Sequence, residues 1–210
     1  MWTLFGSDGS GSAAIEMALL RCEVPFQLVR ASTWEADSAQ DALRAINPLG
    51  QIPALQIDDG TVLTESAAIL IHLGLRYPGS GLLPADPAQQ AQVLRGLVFL
   101  AANCYAAIGV IDYPERWCAG APEAQLKALR QGARLRLHEL WDVFAQQFPV
   151  VGSFWGGQEP GALDLLAAVV SRWSGARAYL AQQRPELTPV FQRIDAHATL
   201  APVFARHWPA

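Results

Sequence analysis

Glu65 and Ser66 stand directly ahead of an apolar run, Ala67, Ala68, Leu70, Ile71 and Leu73, spaced as one face of a helix. A helix that starts there turns free amide N–H groups and a positive field outward, where a small carboxylate can be held. The Ser66 hydroxyl adds a donor for that carboxylate, and the Glu65 carboxylate suits an ammonium group. Just upstream, Gln51-Ile52-Pro53-Ala54-Leu55 sets a proline at the head of a short apolar strand. There its missing N–H need not break a ladder, and a cis bond is possible. Asp58-Asp59-Gly60-Thr61 reads as a hairpin turn, because Asp-Gly tolerates the positive φ of a tight turn, and Val62-Leu63 is the returning strand. A second candidate lies near the N-terminus, in the loop Gly6-Ser7-Asp8-Gly9-Ser10-Gly11-Ser12. It joins a strand at Trp2 to Phe5 to a helix over Ala13 to Cys22, a frame that presents a hydroxyl or an N–H to a ligand. No GK[ST] follows the loop and no acidic residue stands where a ribose needs one, so it does not read as a phosphate cradle.

The phrases NPLGQIPAL, from Asn47, and LTESAAIL, from Leu63, separated by a hairpin, resemble the glutathione-binding half of the cytosolic glutathione S-transferases, with the subgroup open. The resemblance implies a thioredoxin-like α/β domain over residues 1–78, a linker at 79–87 and an all-α domain over 88–210 that lines a hydrophobic co-substrate site. By position it implies that Ile52, with Pro53, pairs its backbone with the cysteinyl part of glutathione, that Glu65 and Ser66 hold the γ-glutamyl end, and that Gln51 meets the glycyl carboxylate. In that family the first loop brings a hydroxyl or thiol to the glutathione sulfur. Phe5 and Gly6 leave no tyrosine nearby and the loop has no cysteine, so a serine is expected: Ser10 first, Ser12 beside it, Ser7 third. A free thiol titrates near ~8.5, and lowering it by about two units takes roughly 2.7 kcal/mol. One hydrogen bond to a charged acceptor supplies about 1.5–3 kcal/mol, so a single hydroxyl beside a helix N-terminus suffices.

The resemblance further implies an electrophile site at Tyr105, Tyr113 and Trp117, with Trp173 as a lesser member. It also implies a homodimer, with glutathione as co-substrate and no metal. The expected reaction is attack of the glutathione thiolate on an apolar electrophile; isomerase, dehalogenase, ether-cleaving lyase and peroxidase variants use the same thiolate. A non-catalytic ligand-binding or protein-binding member of the fold is the second reading.

Elements and composition agree with that frame. Pro25 to Val29 reads as a second strand parallel to the first, since a helix connects them. A short helix over Asp41 to Ile46 ends before Asn47-Pro48, and Trp34 either closes over a ligand or packs on the sheet. From Pro78 to Pro87 breakers crowd together, and beyond them only helical spacing is found, over 88–107, 122–148 and Leu165 to Trp173. Leu94, Leu97, Val98 and Leu100 are expected on one face of the first long helix. Leu126, Leu129, Leu135, Leu137, Leu140, Trp141 and Phe144 are expected on that of the second. Asp164, three residues after Gly161, reads as a capping and folding residue, and two short helices split near Thr199 close the chain, with Phe204 and Trp208 packing back. The 210 residues are 51% hydrophobic with a net charge of −4, so no basic stripe invites nucleic acid. No uninterrupted apolar run approaches the ~20 residues of a membrane span, and no leader pattern is present, which leads us to expect a soluble cytoplasmic protein. Cys22, Cys104 and Cys118 lack metal or dithiol spacing and read as reduced space-fillers, and His72, His138, His197 and His207 are dispersed.

Overall fold

The computed structural model describes residues 1–32, 34, 35 and 37–209. Strand β1 (Trp2–Gly6) leads through the glycine-rich loop into α1 (Ser12–Arg21), then β2 (Phe26–Arg30) and α2 (Gln40–Ile46). The hairpin β3 (Ala54–Gln56) and β4 (Val62–Thr64) precedes α3 (Ser66–Arg76). The four strands lie in the order β2-β1-β3-β4, with β1 and β2 parallel and the other two pairings antiparallel. Leu4 pairs with Leu55 and faces the main core, whereas the next pair, Phe5 with Ala54, faces a smaller cluster with Ala31 and Leu43. This alternation is why the sheet is covered on both sides, by α1 and α3 on one and by α2 on the other.

Register fixes where the site can form. Phe5, one residue before the end of β1, stands opposite Ala54, at the start of β3, which stands opposite Thr64, at the end of β4. The glycine-rich loop, Pro53 and Glu65-Ser66 therefore leave the sheet along one edge.

After a short turn at Pro78–Ser80 the chain becomes helical. Helix α4 (Pro87–Phe99) runs through a π-helical turn, Leu100–Tyr105, into α5 (Ala106–Asp112). That apolar stretch is long enough by length and composition to cross a membrane, and here it packs on α6 (Glu123–Gln147) and α7 (Ala162–Val170). Every residue of α7 is buried, and it touches α1 and α3 of the first domain as well as α4. Helices α8 (Ala176–Gln183), α9 (Thr188–Asp195) and α10 (Ala201–His207) complete the fold. The α8 segment has no clear apolar stripe, which is why sequence reading passes over it.

Two expected core positions are on the surface. Val98 is 56% and Leu135 59% exposed. The buried stripes are Val93, Gly96 and Leu97 on α4, continuing to Leu100 and Cys104 in the π-helical turn, and Leu137, Leu140, Trp141 and Phe144 on α6. Their three- and four-residue spacings leave both outliers off the packed face. Trp34 is also exposed, at 58%. Trp208 is partly buried beside the buried Phe204, their rings 6.0 Å apart.

Candidate glutathione site

The Ile52-Pro53 peptide is cis, and Asn47 steadies the bend before it by donating its side-chain amide to the Gln51 carbonyl at 2.8 Å. Across the sheet edge Glu65 has φ 65° and ψ 109°, a left-handed backbone that a glutamate adopts at a cost of about 1–3 kcal/mol. That conformation turns the chain so that Ser66 opens α3, with its side chain nearly buried. A Cβ on Gly11, the residue before α1, would lie 3.3 Å from Ser66 Oγ and 3.5 Å from Pro53 Cδ, so the α3 N-terminus and the proline bend meet at the start of α1. Gln51 and Glu65 are both exposed at the rim.

The glycine-rich loop is built by its own serines. The Ser12 hydroxyl accepts from the Ser7 N–H at 3.3 Å and donates to the Ser7 carbonyl at 3.2 Å. Ser10 donates to the same carbonyl at 2.7 Å, and the two hydroxyls are 2.8 Å apart. Ser12 is fully buried and Ser10 nearly so. Gly6 must lack a side chain, because a Cβ there would lie 2.5 Å from Ser12 Cβ. The hydroxyls expected to face a thiol are therefore engaged inside the loop. Ser7 is likewise occupied, donating to Glu35 at 2.9 Å, whose carboxyl is held below the usual carboxylate range chiefly by Arg30.

Helical-domain residues reach this loop from far along the sequence. Trp173 donates its indole N–H to the Gly9 carbonyl at 3.1 Å. His207 Nδ1 accepts the Gly9 N–H at 3.1 Å, so Nε2 carries the proton and donates to the buried carboxylate of Glu16 at 2.8 Å, which also pairs with Arg206. Burial, reinforced by the Arg206 charge, pushes His207 down to about 4 and keeps it neutral.

Tyr105 points to the same place from the π-helical turn, its ring 5.4 Å edge-on from Trp173. Its hydroxyl is buried and has no hydrogen-bond partner among the described residues, a state that costs about 1–3 kcal/mol. Burial pushes the phenol up to about 12, the neighbouring Ser66 hydroxyl acting against this and the Glu65 charge adding to it. The other two expected electrophile-site aromatics have different surroundings. Tyr113 is covered by the Arg116 guanidinium 3.9 Å from its ring centroid, and Trp117, 65% exposed, lines a groove between the α4–α5 helix and α6. The cysteines are unpaired; burial pushes Cys104 up to about 12, where it is no nucleophile.

A four-stranded sheet with a cis-proline at its edge, joined to a helical domain, is the architecture of a thioredoxin-like domain with a helical partner. Residues 12–75 match the family model "Glutathione S-transferase, N-terminal domain". The chain is 32% identical over 163 residues to a maleylacetoacetate isomerase of Rhizobium meliloti, covering 74% of this chain and 73% of that protein. It is 37% identical over 128 residues to the uncharacterized GST-like protein YncG of Escherichia coli, a match spanning 60% of this chain and 62%, under two thirds, of YncG. The crystal structure of a glutathione transferase homologue from Sulfitobacter, with bound glutathione, superposes with a TM-score of 0.84 at 27% identity, covering 97% of this chain and 96% of that one. The chain belongs to the glutathione S-transferase family.

Proposed function

We propose that the protein is a glutathione transferase that joins the glutathione thiolate to an apolar electrophile. The observation that carries this reading is that Ser66, opening α3 behind the strained Glu65 backbone, and the cis-proline bend meet at Gly11. In this reading the γ-glutamyl carboxylate meets Ser66 and the α3 amides, the γ-glutamyl ammonium meets Glu65, the cysteinyl backbone runs along Ile52 beside Pro53, and the glycyl carboxylate ends near Gln51. The thiol then lies at the N-terminus of α1, whose dipole favours the anion. Ser10 and Ser12 shape the loop around it, and a direct bond from Ser10 to sulfur would require giving up the Ser7 carbonyl. Sulfur attacks the electrophile, an S–C bond forms and the leaving group departs. The protein acts as a cytoplasmic homodimer with no metal.

A glutathione-dependent isomerase is the second reading, favoured by the name of the Rhizobium meliloti relative, and it uses the same bound thiolate. Calorimetric titration with reduced glutathione tests the shared step. Saturable binding is expected, weakened roughly ten- to a hundredfold by Ser66→Ala through loss of one hydrogen bond to a charged group. Absence of binding at millimolar glutathione in the unmodified protein would refute the reading.

A further inference from the structure

We propose that the hydroxyl that stabilises the glutathione thiolate is supplied by Tyr105 of the helical domain, occupying the space left open by Gly11 at the start of α1. The inference rests on the glutathione reading above and names the group that acts there.

Gly11 is the residue immediately before α1, and its backbone, at φ −61° and ψ −15°, is one that any L-residue adopts. Conformation therefore does not demand glycine; space does. A Cβ on residue 11 would lie 2.4 Å from the Tyr105 phenol oxygen, 3.3 Å from Ser66 Oγ and 3.5 Å from Pro53 Cδ. The phenol oxygen thus stands where a side chain on the α1 cap would begin, between the cis-proline and the α3 serine. The loop's own three hydroxyls, on Ser7, Ser10 and Ser12, are bonded inside the loop or to Glu35, whereas that of Tyr105 has no partner among the described residues.

Its position is built. A π-helical turn, a feature found frequently at functional sites, carries Tyr105 at the junction of α4 and α5. Trp173 packs edge-on against the ring while its indole N–H holds the Gly9 carbonyl, so one residue fixes both the phenol and the loop. A phenol pushed up to about 12 stays protonated at neutral pH, which makes it a donor and not a competing base. The thiol proton leaves to solvent, Tyr105 keeps its own proton, and no bond to Tyr105 forms or breaks. Its hydrogen bond favours the charged sulfur over the neutral thiol and so lowers the thiol pKa.

The test follows thiolate ultraviolet absorbance against pH in the glutathione complexes of the unmodified protein and of Tyr105→Phe, with affinity measured in parallel. In Tyr105→Phe the bound thiol pKa is expected to rise by roughly one to two units while glutathione still binds. Turnover of a model aryl halide at neutral pH falls roughly ten- to a hundredfold. Gly11→Ser placed in the Tyr105→Phe background returns a hydroxyl to the same space and is expected to lower the thiol pKa again. Gly11→Ala alone displaces the intact phenol and raises it. An unchanged thiol pKa in a Tyr105→Phe protein that binds glutathione would overturn the proposal and leave the function standing. An unmodified protein that takes up no glutathione overturns both.

Discussion

Single side chains in this site divide between those left open at the start of α1 and those that hold the loop. Ser12 belongs to the second group, since its hydroxyl closes both the N–H and the carbonyl of Ser7. Ser12→Ala leaves a buried N–H without a partner, and a loss of about 1–3 kcal/mol in stability is the expected outcome in urea unfolding. The helix start at Glu65-Ser66 was legible from sequence because it follows from the apolar spacing of the next few residues. The engagement of Ser10 and Ser12 was not, since which way a loop serine turns depends on a carbonyl that only the folded loop brings within reach. Tyr105 read as an aromatic near the cleft, but its unpartnered hydroxyl and its approach to Gly11 join positions far apart in sequence.

Elements act here by clamping. α10 carries His207 and Arg206 onto Glu16 of α1, and His207 in turn holds Gly9. His207→Ala leaves the Glu16 carboxylate buried with a single partner, and a destabilisation of about 2–4 kcal/mol is expected by denaturant titration. The clamp also predicts a pH dependence. A folded-state pKa near 4 lies below the unfolded ~6.5, so the unfolded chain binds more protons between these values. Stability from His207 is therefore complete above ~6.5 and is lost as pH falls towards 4, by at most about 3 kcal/mol. The groups facing the imidazole are Glu16, Arg206 and, more weakly, Asp8. His207→Gln keeps an acceptor for Gly9 and a donor for Glu16 but cannot titrate, so its acid sensitivity in this window should be smaller. Asp164, raised to about 6 chiefly by burial, gives a contribution that is lost as pH rises through 6; it is common to both proteins and cancels in the comparison. Sequence left His207 without a role because its partners lie on the first helix and the first loop.

The whole molecule is tied together at α7, which is buried throughout and touches both domains. Asp164 sets its start by accepting N–H groups from Trp155 at 2.9 Å, Gly156 at 2.8 Å and Gly161 at 2.9 Å. The bond from Gly161 is the half of a capping box that a glycine cap still allows. Asp164→Ala would strand three N–H groups, two of them buried, at a cost of about 3 kcal/mol. A fall of roughly 10 °C in melting temperature is expected, with glutathione affinity kept in the folded fraction; loss of affinity without loss of stability would contradict a purely structural role.

Sequence alone determined the order of elements through α3, the parallel β1–β2 unit, the hairpin, the proline bend and the Glu65-Ser66 helix start, because each is set by neighbours within a few residues. It also marked Asp164 as a folding residue from its spacing to Gly161. Tertiary structure decided which apolar residues of the long helices are covered, placing Val98 and Leu135 outside, since coverage depends on the partner and not on apolarity. It decided as well which hydroxyl stands at the start of α1. Hydrogen bonding is short-ranged and directional, so only the packing of a helix more than ninety residues away could bring the Tyr105 oxygen to Gly11.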